Sequence, residues 1–133
     1  MKQENHNRLH NAEIDHKKLP DLMQELIELI GYADMFILIS TFGGQDVYIP
    51  KYPTRSKLID ILPIKSLQIL SVAYGGTYLT LPTSRQIDIQ ERNREILHAL
   101  QGGESRSTVA KRFGLGIRQV ANIKASGKPP STH

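Results

Sequence analysis

None of the 133 residues is a cysteine, which excludes disulfides and thiolate metal centres and is compatible with a reducing cytoplasm. Long apolar runs are also missing. The most apolar stretch, residues 35–40, lies between Asp34 and Gly43 and is far too short to span a bilayer. The first twenty residues lack the apolar centre of a secretory signal, so a cytoplasmic protein with no membrane contact is expected. Arginine is nearly absent from residues 19–83, where only Arg55 occurs. Ser40, Ser56, Ser66 and Ser71 have no evident activating neighbours there, which argues against a recombinase-type nucleophile and against an enzyme. Two Gly-Gly pairs lack both the third glycine and the Lys-Ser/Thr of a phosphate-cradling loop, and no cofactor is expected. His6, His10 and His16 cluster in a polar N-terminal segment, but two or three imidazoles on such a segment rarely hold a metal.

Charge is present and unevenly placed. Residues 84–133 carry nine Lys/Arg against four acids, a net of +5, whereas residues 1–83 carry eight against nine, a net of −1. The basic excess of the C-terminal part suits neutralisation of phosphates. The N-terminal part has no electrostatic reason to touch nucleic acid, and association is its expected task.

Within the basic part, residues 105–124 read as a helix-turn-helix. Val109, Ala110 and Phe113 share one face of a short helix. Gly114 stands where the chain reverses with positive φ, and Leu115 plugs the turn. Ile117, Val120 and Ile123 are expected to line one side of a second helix, and Ala110 is small where the two would cross. Arg118, Gln119, Asn122 and Lys124 are left facing outward. Arginine suits guanine and Asn or Gln suits adenine in the major groove, so Arg118, Gln119 and Asn122 are the expected base readers, with Lys124 on phosphate. Ser105 is the expected N-cap of the first of these helices, and Ser105, Arg106 and Ser107 would form a phosphate clamp at its positive end. A preceding helix is expected over 88–100, with Ile89, Ile96, Leu97 and Leu100 as its core stripe. Its Arg92 and Arg94 could approach phosphate or pair with Glu91 and Glu95. Lys111 and Arg112 stay ambiguous.

The front half is duplicated. A shift of thirty-two residues superimposes 26–50 on 58–82, matching Leu26 with Leu58, Leu38 with Leu70, Gly43-Gly44 with Gly75-Gly76, and Pro50 with Pro82. Each unit reads as apolar helix, break, apolar helix, aromatic-Gly-Gly, four-residue strand (46–49 or 78–81) and proline. Helices this short and apolar need partners on more than one side, and so do four-residue strands. A two-fold homodimer would meet both demands and would set two reading heads about one helical turn apart. A monomeric helical core is the simpler alternative.

The two aromatic-Gly-Gly-strand-Pro units (42–50 and 74–82), then Arg92-Asn93-Arg94-Glu95-Ile96 and the helix-turn-helix, resemble the Mor/C family, the middle and late transcription activators of Mu-like phages and prophages. The likeness covers about residues 19–124. It implies a homodimer with intertwined N-terminal halves, binding to imperfect inverted repeats in double-stranded DNA near a promoter, and contact with RNA polymerase. It also implies a flexible hinge at Gly75, Gly76 and the 77–81 strand. Here the second helix begins at Gly116, where Ser or Thr is the more usual cap.

The expected fold is mostly α with two short strands: a flexible N-terminus (1–18), an α-helical dimerisation domain (19–83), a three-helix, homeodomain-like helix-turn-helix domain (84–125) and a flexible tail (126–133). The expected role is a nucleoid-associated transcription activator in a bacterial cytoplasm. A repressor or accessory DNA-binding protein, and a pure protein-interaction module, remain the alternatives. Activation and repression differ in where the operator lies, which this chain does not encode.

Overall fold

A computed structural model describes residues 13–127. The chain is mostly helical with one two-stranded antiparallel sheet, and it divides into two compact units, one ending at Ile87 and the other beginning at Asp88. The front unit contains α1 (Asp21–Phe42), β1 (Asp46–Ile49), α2 (Ile64–Tyr74) and β2 (Thr77–Thr80). The helices α3 (Arg85–Gln101), α4 (Arg106–Phe113) and α5 (Ile117–Ser126) follow. Among the described residues no helix is long and apolar enough to cross a membrane.

The front unit starts earlier than residue 19. A single helical turn at His16–Lys18 is capped by Asp15, whose carboxylate accepts from the Lys17 N–H at 3.1 Å. Ile14 and Leu19 on either side of it are buried in the core. His16 stacks on Tyr32, with ring centroids 6.1 Å apart. His6 and His10 lie outside the described residues.

The break expected inside the first repeat falls at Gly31. Its φ of 88° interrupts the ladder of α1, a conformation that a residue without Cβ adopts at little cost. The equivalent place in the second repeat is Pro63, which directly precedes α2 and offers no N–H to continue a helix from the turn at Lys57–Asp60. One physical task, interrupting an apolar helical run, is met by two different residues.

The two repeats pair with one another. β1 and β2 align Asp46 with Thr80, Val47 with Leu79, Tyr48 with Tyr78, and Ile49 with Thr77. Val47 and Leu79 are equivalent under the thirty-two-residue shift, so the strands meet across a local two-fold axis. The flanking bonds obey the same operation. The Gly44 N–H donates to the Leu81 carbonyl at 2.9 Å, and the Gly76 N–H to the Ile49 carbonyl at 2.7 Å. The Ser66 hydroxyl donates to the carboxylate of Asp34, its own repeat-mate. Equivalent apolar positions are buried together, Leu26 with Leu58, Met35 with Leu67, and Leu38 with Leu70. A fully buried leucine or methionine contributes about 1.5–3 kcal/mol, and these positions carry the unit.

This arrangement corrects one expectation. The short strands find their partner inside the chain, so they do not by themselves require a second copy. What the fold leaves uncovered is side-chain surface: Val72 is 89% exposed, and Ile37, Ile59, Ile64, Tyr48 and Tyr78 are exposed as well.

Repeat-mates also differ where burial is demanding. Tyr74 replaces the Phe42 of the first repeat, and its hydroxyl is buried on the side of the Glu25 carboxylate. Burial pushes the phenol far above its ordinary value, and the Glu25 carboxylate pushes it the same way. The neutral form is therefore favoured by folding, and that stability is lost as pH rises past the unfolded value near 10. Tyr74→Phe is expected to flatten the alkaline decline, because it removes the group whose ionisation folding opposes. Urea unfolding at neutral and alkaline pH checks this. A decline of the variant with rising pH as steep as the wild type's would contradict it.

Candidate nucleic-acid interface

The unit from Asp88 onward is built on Ile96, Ala99, Val109, Ala110, Val120 and Ile123, with Leu97, Leu100, Phe113 and Leu115 packed against them. These residues bind α3, α4 and α5 into one small core. Helix α3 starts three residues before the expected 88 because Ile87 in its first turn is drawn into the front core. Ile89 is half-buried and stands in neither cluster, while Ala99, a residue not anticipated in the stripe, is buried.

Ser105 caps α4 as expected from its residue type. Its Oγ accepts from the Thr108 N–H at 3.1 Å and donates to the Thr108 hydroxyl at 2.9 Å. The first-turn N–H groups of Arg106 and Ser107 are left for an outside acceptor, and both residues are exposed. Ser105→Ala is expected to lower stability by about 1 kcal/mol through loss of the cap, with Ser105→Asp restoring it. Unchanged urea unfolding of the alanine variant would show that the cap contributes nothing.

Helix α4 ends at Gly114, which is left-handed at φ 70° and ψ 31°, a conformation that costs other L-residues roughly 1–2 kcal/mol. The Leu115 N–H then donates to the Ala110 carbonyl at 2.9 Å, closing the turn in the manner of a helix stop followed by an apolar plug. Ala110 is buried and carries only a methyl group where α4 and α5 pack. Gly116 caps α5 with no side-chain acceptor.

Val120 and Ile123 seat α5 on the core. Arg118, Gln119, Asn122 and Lys124 are all exposed, and none of their side chains has a hydrogen-bond or ion-pair partner among the described residues. Arg118 and Asn122 are one turn apart on the centre of the outward face, with Gln119 and Lys124 on its two edges. The third aliphatic expected on the inner side, Ile117, is not there: it is 55% exposed. At 100° per residue it stands about a quarter turn from the side that Val120 and Ile123 mark.

Two other arginines are spoken for. Arg112 pairs with Glu104 at 2.9 Å and lies over the Phe113 ring, 5.2 Å from its centroid. Arg92 donates through Nε and Nη2 to the Asn93 side-chain oxygen at 3.2 and 2.9 Å. The Glu104 pairing was hidden in the sequence because Glu104 precedes the cap, outside any helical spacing. Lys111 stays exposed. Gly75 and Gly76 lie in the front unit, tied to β1 and to the end of α2. No group of three or more His, Asp or Glu side chains is placed to hold a metal among the described residues. Comparison with protein-family models, with curated proteins and with solved structures returns no match.

Proposed function

We propose that the chain is a sequence-specific DNA-binding transcription activator of phage or prophage type. It acts as a homodimer on an inverted repeat beside a promoter and engages RNA polymerase there. In this reading α4 and α5 are a helix-turn-helix, completed by α3 into a three-helix, homeodomain-like domain, and α5 enters the major groove. The observation that carries it is the outward face of α5. Three side chains suited to purine edges, Arg118, Gln119 and Asn122, are exposed and unengaged on a helix fixed from behind. The N–H groups of Arg106 and Ser107 and the ammonium of Lys124 supply phosphate contacts that set the register but not the sequence. The +5 excess over residues 84–133 provides the salt-dependent part of the affinity.

Homodimerisation rests on the resemblance to the Mor/C family and on the uncovered apolar side chains of the front unit, Val72 foremost. One reading head covers only a few base pairs, and two of them supply the specificity ratio that a regulator needs. Activation and the polymerase contact rest on the resemblance alone.

Selection of duplexes from a random library by the full chain, with a sizing measurement on the resulting complex, tests the proposal. An enriched site with two-fold symmetry, bound by two chains, is the expected result. No enrichment at low salt would favour a protein-interaction module. A reporter fused to the selected site should rise with added protein, and a fall would make the protein a repressor.

A further inference from the structure

Ile117 is the one large hydrophobic side chain standing this exposed among the described residues from Asp88 onward. It opens α5, and its immediate neighbour on the outward face is Arg118. Val120 and Ile123 mark the buried side of the helix, and Ile117 lies roughly a quarter turn away from it, at 100° per residue. It shares an edge with Ala121 one turn on and Lys124 two turns on. The α5 surface therefore presents an apolar strip, Ile117 and Ala121, running beside the polar line of Arg118 and Asn122.

A buried role does not account for Ile117, and a phosphate offers an aliphatic side chain nothing. We infer that Ile117 reads a thymine: its side chain packs on the C5-methyl group in the major groove, at the base pair next to the one Arg118 contacts. That methyl is the apolar group base pairs display in the major groove, and the first residues of a recognition helix are those that reach base edges. The Ile117–methyl contact removes two apolar surfaces from water at once. This inference rests on the DNA-binding reading above and adds to it the identity of one base.

The test uses the full chain and a duplex that it has itself enriched. Each thymine of the site is replaced in turn by deoxyuridine, which removes the methyl and leaves every hydrogen-bonding group in place. At one thymine per half-site, deoxyuridine is expected to weaken wild-type binding about fourfold, the worth of burying one methyl-sized group. The same replacement should leave the affinity of Ile117→Ala unchanged. Ile117→Ala should itself lose a similar factor on the thymine duplex while keeping the wild-type melting temperature, since the side chain is exposed. Equal deoxyuridine effects on both proteins at every position would overturn the thymine assignment and leave DNA binding standing. Failure to enrich any duplex would overturn the DNA-binding reading and this inference with it.

Discussion

Arg118→Ala should weaken binding to the enriched duplex by about 1–3 kcal/mol, roughly fivefold to 150-fold, and relax the choice of base at one position of each half-site. The guanidinium is exposed and unpaired in the free protein, so its removal leaves no buried charge behind and no cavity. Thermal unfolding should not change, and the loss belongs to recognition. Affinity for a scrambled duplex should fall far less, because one phosphate-independent contact has been deleted. A titration of both duplexes with both proteins separates the cases. Full discrimination by the variant would remove Arg118 from the reading face, while an equal loss on both duplexes would reduce it to a phosphate contact.

Gly75→Ala should cost about 3 kcal/mol of stability, a large share of the 5–15 kcal/mol that holds a typical domain together. Gly75 closes α2 by donating to the Ser71 carbonyl at 2.9 Å, and an added Cβ would run into that same oxygen and lie 3.2 Å from the Lys51 Cα. The repeat-mate Gly43 is equally confined, its Cβ position 2.6 Å from the Ile39 oxygen and 3.0 Å from that of Pro82. Backbone atoms do not step aside as side-chain ends do, so the clash spreads into the sheet. Ser71 adds to the rigidity by donating to the Pro50 carbonyl at 2.8 Å. The hinge reading implied by the family resemblance gives the opposite result. A hinge glycine changed to alanine would leave stability within about 0.5 kcal/mol and shift only DNA affinity. Urea unfolding of Gly75→Ala and Gly43→Ala decides between them.

The repeat and its punctuation were legible because Gly-Gly and proline mark chain reversals whatever surrounds them. The pairing of the strands was not. A four-residue strand states that it needs a partner, and nothing in its sequence says whether the partner is thirty-two residues away or on another molecule. The register shows which: Val47 opposite Leu79 is a pairing between repeat-mates. The cap at Ser105 and the stop at Gly114 could be read locally, since each follows from one residue's own chemistry. Ile117 shares the i, i+3 spacing of the buried Val120 and Ile123, but each such step drifts about 60° around the helix, so the first of the three stands at the edge of the buried side. Arg112 could not be resolved because Glu104 reaches it from outside the helix, a contact made by the turn and not by spacing. The burial of Ile14 is not legible in the sequence, because one apolar residue in a polar stretch carries no pattern.

The most direct test of the central claim, that the outward face of α5 reads base sequence, is the ratio of affinities for the enriched duplex and a scrambled one at fixed physiological salt. A ratio of about a thousandfold or more is expected for wild-type protein, collapsing toward unity when Arg118, Gln119 and Asn122 are all replaced by alanine. Equal affinity of the wild-type chain for both duplexes, falling in parallel as salt is added, would show that its positive charge alone holds the DNA.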